Sequence, residues 1–194
     1  MDKLIICVKF ATYTRLHLYL MELGDDDMVI FKVGDNAVYP GHGVGRVVAV
    51  EVKEILGTKK EFYSVQMIET GMKIMIPKDN VKSVGLRPII SDTEAEKVIE
   101  ILKQKNIKVD TQTWNRRYRE YMDKIKTGSV YEIAEVLRDL FVLRVDKELS
   151  FGEKRMLENA RTLLRKELEL SPAKDKLFAQ TEVKAIFGIE ESIS

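Results

Sequence analysis

Cysteine is almost missing from this chain of 194 residues: there is one, Cys7, alongside two histidines, four prolines and a single tryptophan. One cysteine excludes an internal disulfide framework, and with so few histidines a tetrahedral Cys/His zinc site lacks ligands. No apolar run approaches the roughly 18 residues that a membrane-crossing helix needs. An excess of one sign of charge is missing too, since 32 Lys and Arg face 31 Asp and Glu, leaving +1. No chain-wide field draws the molecule to nucleic acid or a membrane, so any such attraction is local. What is present is an ordinary globular composition, 45% hydrophobic, 32% charged and 8% aromatic. A chain of this length buries a core without staples.

The charge is unevenly spread. Residues 91–102 carry one basic and four acidic groups, whereas 103–128 carry eight basic and three acidic, a local +5 in a neutral chain. That stretch is the first place to seek an anionic partner. Residues 1–27 are patterned differently: Ile5, Ile6, Val8 and Phe10 are interrupted by Lys9, and Asp25-Asp26-Asp27 close the segment. They lack the uninterrupted apolar region and small-residue cleavage site of a secretory signal. They read as an atypical N-terminal extension, with an ordinary edge strand or helix as the alternative.

From 31 to about 87 the hydrophobic period is two. Val48, Val50 and Val52 alternate with Ala49, Glu51 and Lys53, which predicts the valines inward and Lys53 outward. Tyr63, Val65 and Met67 alternate likewise, Ile74 and Ile76 run up to Pro77, and turns fall at Leu56-Gly57-Thr58 and Glu69-Thr70-Gly71. Short antiparallel strands at this spacing predict a small β barrel. From 91 onward the period becomes 3.6. Ser91, Ser129 and Ser150 each stand three residues before a Glu, the spacing at which a Ser oxygen and a Glu carboxylate satisfy two orphan helix donors reciprocally. Apolar stripes follow: Val98, Ile101 and Leu102; Ile133, Leu137, Leu140 and Phe141; Met156, Leu157, Ala160, Leu163 and Leu164. A further helix spans roughly Thr113 to Lys126 and is ended by Gly128, and Ser171-Pro172 is expected to open a last one. The fold class is α+β, a small antiparallel barrel followed by a bundle of four to five helices. The expected domains are 28–88 and 89–194, after the extension at 1–27.

Gly41-His42-Gly43-Val44-Gly45 superficially suggests a phosphate loop, but a strand, not a helix N-terminus, follows it, so a barrel corner is the better reading. His17 and His42 have no nucleophile near them in sequence, and no metal-spaced cluster appears. An enzyme is not expected, nor a cofactor, a metal, membrane contact or a small-molecule substrate. The basic stretch is more informative. Trp114, Tyr118, Tyr121, Met122 and Ile125 have the spacing of a core stripe. Trp114 nevertheless stands in the first turn beside Arg116, Arg117 and Arg119, where a flat ring among guanidinium groups suits a wedge or stacking platform on nucleic acid. Periodicity leaves both readings open.

Four motifs in order carry a resemblance: Ile30-Phe31-Lys32-Val33-Gly34-Asp35, Val38-Tyr39-Pro40-Gly41-His42-Gly43, Trp114-Asn115-Arg116-Arg117-Tyr118 and Leu149-Ser150-Phe151-Gly152-Glu153-Lys154-Arg155-Met156-Leu157. From about Phe31 to about Leu170 the chain resembles the CarD/CdnL transcription regulators of bacteria. The resemblance implies a Tudor-like N-terminal barrel, of the kind also found in transcription-repair coupling factors, that binds the β subunit of RNA polymerase. It implies a helical domain that touches promoter DNA, largely independently of sequence, at the upstream edge of the transcription bubble and stabilises the open complex. By position Trp114 is the wedge in the minor groove, with Arg116, Arg117, Arg119 and Lys154 as basic contacts. Lys53 matches a basic polymerase-contacting position. Met75 stands where the family often has Arg, with Lys73 as its substitute two residues away on the same strand face. The resemblance also implies a cytoplasmic protein. The alternative is a protein–protein adaptor with no DNA contact and Trp114 as core.

Overall fold

Two glycines set the first hairpin. Gly41 and Gly43 adopt φ of 72° and 84°, angles that L side chains rarely tolerate. They turn β1 (Asn36–Tyr39) into β2 (Gly43–Ile55). Gly45 serves packing instead, since a Cβ there would lie 2.6 Å from Val65 Cγ1. The glycine run is thus a strand corner, as its context suggested. β3 (Thr58–Met67), β4 (Lys73–Pro77) and β5 (Arg87–Pro88) follow. The computed structural model describes residues 30–55, 57–104, 107, 113–178 and 181–187. The extension at 1–27, Leu56 and much of the basic stretch before Thr113 lie outside the described residues.

The expected barrel does not close. The strands form an open antiparallel sheet of five in the order β4-β3-β2-β1-β5. β5 is two residues long, and its Pro88 has no N–H to offer a further strand. The apolar face is sealed by the segment after β4: Val81 and Leu86 join Phe31, Val47, Tyr63, Val65 and Ile76 in one buried cluster. The Tyr63 hydroxyl, drawn into that cluster, accepts from the Phe31 N–H at 3.2 Å.

The inward set on β2 also needs correction. The pairing register slips between Val47 and Ala49, so Val48 is the extra residue of a bulge and strict alternation fails there. Val47 is buried, but Val50 and Val52, opposite Tyr63 and Glu61, are 38% and 60% exposed. β4 flanks β3 only as far as Phe62, so Val50, opposite Tyr63, stands at the end of the three-stranded part and Val52, opposite Glu61, stands beyond it.

Four longer helices follow: α1 (Asp92–Lys103), α2 (Trp114–Thr127), α3 (Val130–Asp146) and α4 (Phe151–Leu170). Short α5 (Lys174–Phe178) and α6 (Thr181–Phe187) come after them. Ser91 and Ser150 make complete capping boxes. Ser129 accepts from the Glu132 N–H, but the Glu132 carboxylate takes the Thr127 hydroxyl instead. Gly128 ends α2 at φ 74°, as expected. Ser171 does not open a helix. It closes α4, its buried hydroxyl donating to the Leu168 carbonyl at 2.9 Å. Val98, Leu102, Leu137, Leu140, Leu157 and Leu164 lie at the centre of the helical core.

Sheet and helices belong to one compact unit, residues 31–194, and side chains show how they are joined. Arg87 on β5 donates twice to the Gly128 carbonyl, at 3.1 and 2.9 Å, and holds both carboxylate oxygens of Glu167 on α4. The Glu167 side chain is only 3% exposed. Lys166 reaches Glu69 across the same junction at 3.2 Å. Gly128 must be glycine twice over, because a Cβ there would meet Pro40 Cγ at 2.8 Å. Removing one partner of a buried ion pair strands the other, at a cost of about 3–5 kcal/mol. Arg87→Met is therefore expected to destabilise the protein by that order in urea unfolding. The double change Arg87→Met with Glu167→Met, which strands no charge, is expected to recover most of it.

Candidate functional site

The α2 stripe reaches the surface at its N-terminal end. Tyr121 and Ile125 are buried, Trp114 and Met122 are half-buried against the helical core, and Tyr118 is 45% exposed. The place the stripe leaves in the core belongs to Arg117, four residues before Tyr121 and eight before Ile125. It is 5% exposed. It is thus buried against α4 and does not stand exposed beside Trp114 as the expected basic DNA contact would. Its Nη2 donates to Glu153 Oε1 on α4 at 2.6 Å.

Glu153 is the counterpart. Its carboxylate also accepts from the Ser150 N–H at 2.9 Å and from Lys147 Nζ at 3.0 Å. Burial pushes its pKa up, but the Ser150 N–H, Arg117 and Lys147 together outweigh burial and hold it down at about 2. The same pair seats the tryptophan. The Arg117 guanidinium carbon lies 5.7 Å from the Trp114 ring centroid, and Tyr118 meets that ring edge-on at 5.6 Å. A Cβ on Gly152 would stand 2.9 Å from Trp114 Nε1, so the ring lies directly on the backbone at the start of α4. Trp114 is therefore partly packed and partly open. It lines a groove of about 540 Å³ between α2 and α4, with Tyr118, Met122, Phe151 and Arg155.

The remaining cations stand outside. Arg116 is exposed and bonds Glu120 at 3.2 Å, and Lys154 is exposed and bonds Glu148 at 2.9 Å. Such exposed pairs hold their cations weakly. Arg119 and Arg155 are exposed and have no ion pair among the described residues. Sequence reasoning missed Phe151 and Arg155. Both lie in a quoted motif, but their place beside Trp114 depends on the packing of α2 on Gly152, which no local pattern shows.

On the sheet, Lys53, Met75 and Lys73 share one face. Lys53 is exposed, pairs across the hairpin with Lys60, and places Nζ 3.4 Å from Glu51 and 3.2 Å from Met75 Sδ. Met75 lies opposite Ser64 and Lys73 opposite Gln66, both exposed. Arg46, opposite Gln66 from the other side, adds an exposed cation beside Lys73. Among the described residues no group of three or more His, Cys, Asp or Glu is placed to hold a metal ion. No helix among them is long and apolar enough to cross a membrane.

A Bacillus subtilis (strain 168) protein named Putative transcription factor YdeB is 41% identical over 141 residues, covering 73% of this chain and 92% of that one. More particularly, residues 31–90 match the CarD-like/TRCF RID domain and residues 97–184 match CarD, C-terminal domain. The chain belongs to the CarD-like family of transcription regulators. The match runs past Leu170, where the motifs alone had ended the likeness. Among solved structures, CdnLNt from Myxococcus xanthus is 53% identical, over 33% of this chain and 90% of that one, with a TM-score of 0.29. The N-terminal domain of Myxococcus xanthus CarD is 41% identical, over 30% of this chain and 77% of that one, with a TM-score of 0.27.

Glu153 titrates well below its ordinary value of 4.5 when folded, so its contribution is complete above that value and disappears as pH falls toward 2. The shift corresponds to about 3 kcal/mol. Unfolding free energy measured from pH 6 down to 2 is expected to lose that amount in the parent. Glu153→Gln starts lower at pH 6 and converges on the parent near pH 2. A parallel pair of curves would remove Glu153 from the acid response.

Proposed function

We propose that this protein binds the β subunit of RNA polymerase through its sheet and promoter DNA through its helices, at the upstream edge of the transcription bubble, and thereby stabilises the open complex. The observation that carries the reading is Trp114, held from inside by Arg117 and Gly152 while part of its ring lines a groove bordered by cations. A ring pre-set in this way loses little freedom when it slides against a base step. Arg116, Arg119 and Lys154 supply the phosphate contacts. Arg117 supports the wedge from behind. Lys53, Lys73 and Met75 form the polymerase contact, which the match to the CarD-like/TRCF RID domain supports. The domain division at 28–88 and 89–194 separates these two tasks.

The weakness of the DNA contact suits the arrangement. A few Lys and Arg give modest, salt-sensitive binding with little sequence preference. Tethering to polymerase raises the local concentration to roughly millimolar, at which a weak contact suffices. The near-neutral net charge fits a placed patch. One observation favours the adaptor alternative, that Trp114 packs partly on the helical core, and the two readings part in kinetics.

Deleting a fully buried aromatic costs about 3–5 kcal/mol, so Trp114→Ala, half-buried, is expected to cost about 2 kcal/mol in stability. On the regulator reading its open complexes decay about tenfold faster, the equivalent of ~1.4 kcal/mol, while polymerase capture is unchanged. Unaltered lifetimes with folded Trp114→Ala would decide for the adaptor. Lys53→Glu is expected to change stability by no more than about 0.5 kcal/mol and to weaken capture of purified RNA polymerase several-fold, because it sets like charge against an acidic surface. Equal capture by variant and parent would take Lys53 out of the interface.

A further inference from the structure

We propose that Phe151 is a second stacking surface beside Trp114, so that the groove between α2 and α4 takes up an unstacked DNA base between two aromatic walls. The inference rests on the DNA-facing reading of this groove and adds a residue and an occupant to it.

Phe151 is 83% exposed, the most exposed large hydrophobic side chain among the described residues. It has no ring partner there either. A lone exposed phenylalanine needs no explanation by itself; its placement does. It precedes Gly152, whose missing side chain seats the Trp114 ring, and it lines the same groove as that ring. One buried ion pair lies close in sequence to both aromatics. Arg117 lies three residues after Trp114, Glu153 two residues after Phe151, and the two are joined at 2.6 Å. The complete capping box at Ser150 and Glu153 sets the backbone from which Phe151 projects. The Trp114 ring is thus seated by the core, and the cap sets the backbone from which the open Phe151 ring projects.

Charge chooses the occupant. No carboxylate lines the groove, while Arg155 does, and Asn159 adds an amide donor and acceptor at its wall. Exposed Arg119 has no ion pair among the described residues, and Lys154 follows Phe151 by one turn. Flat apolar rings, guanidinium groups for the backbone and no acid to repel it are the requirements of single-stranded DNA, whose every base has a stackable face. A basic peptide would find no counter-charge in the lining.

Trp114 is the chain's single tryptophan, so its emission reports this groove without a label. The full chain is titrated with a forked duplex, which offers unpaired bases at a junction, and with a fully paired duplex of the same sequence. The fork is expected to quench Trp114 emission in a salt-sensitive manner. Phe151→Ala is expected to bind the fork about tenfold more weakly, the loss of one base–ring stack, with paired-duplex affinity changed by less than about twofold. Phe151→Tyr keeps the ring and is expected to bind like the parent, whereas Phe151→Leu keeps apolar bulk without a ring and behaves like Ala. An unchanged melting temperature for each variant confirms that the exposed site was altered alone. Fork affinity unchanged in Phe151→Ala, or fork and duplex weakened equally, overturns the proposal. Loss of fork binding in Trp114→Ala, which has no tryptophan and is read by anisotropy of an end-labelled fork, but not in Phe151→Ala would leave the DNA reading of α2 standing and remove only the second wall. Loss in neither variant removes both.

Discussion

Glu153 and Glu167 lie nearly four turns apart on α4, each almost wholly buried, and each holds an arginine from another element. Buried carboxylates of this kind are tolerated only when their partners are present and well placed. At one end Glu167 takes Arg87 from the short edge strand, and Arg87 in turn binds the carbonyl of Gly128, where α2 gives way to α3. At the other end Glu153 takes Arg117 from α2. One helix thus ties the sheet to the helical bundle and sets α2 against its own first turn. Apolar packing fills the core, but these two pairs determine which elements meet and in what register, because an unpaired charge in any other arrangement is costly.

The division of labour follows. On the proposed function the polymerase contact is assigned to Lys53, Lys73 and Met75, exposed on one sheet face, and the DNA contact to Trp114, at a helix start whose inner edge is committed to packing. Arg117 is the hinge of this economy: a cation in a basic stretch, spent on a carboxylate so that a tryptophan is held at a constant angle. A wedge that must unstack bases works best when its ring is already placed, since ordering a loose side chain subtracts from binding. Of the exposed cations around it, Arg116 and Lys154 hold only exposed ion pairs, and Arg119 and Arg155 hold none among the described residues.

The three helix starts with Ser three residues before Glu, the glycine that ends α2, the hairpins and the glycine corner were all legible in the sequence. Each depends on neighbours within a few positions, and local hydrogen bonding and backbone preference decide such features. Ser171 misled because Ser-Pro is as acceptable just past one helix as at the opening of the next. The site was half legible. Trp114 and the exposed arginines could be read from a motif, and Arg117 could have been found from its spacing to Tyr121 and Ile125. Charge conceals a core position from any reading that sorts residues by polarity, and only Glu153, thirty-six residues away, makes that position tolerable.

The sequence by itself therefore determined the elements, their order and the chemical types gathered near Trp114, because these rest on local periodicity and composition. Tertiary structure alone decided that the sheet stays open, since closure depends on whether a two-residue strand reaches its far neighbour. It decided that Val50 and Val52 stay open although they share the face of Tyr63, since alternation tells which face a strand residue takes and not how far the covering layer extends. It also decided which of four neighbouring cations is buried and that Phe151 shares a groove with Trp114. Those outcomes depend on contacts between residues far apart in the chain, where the side chain's environment, and not its type, sets what it does.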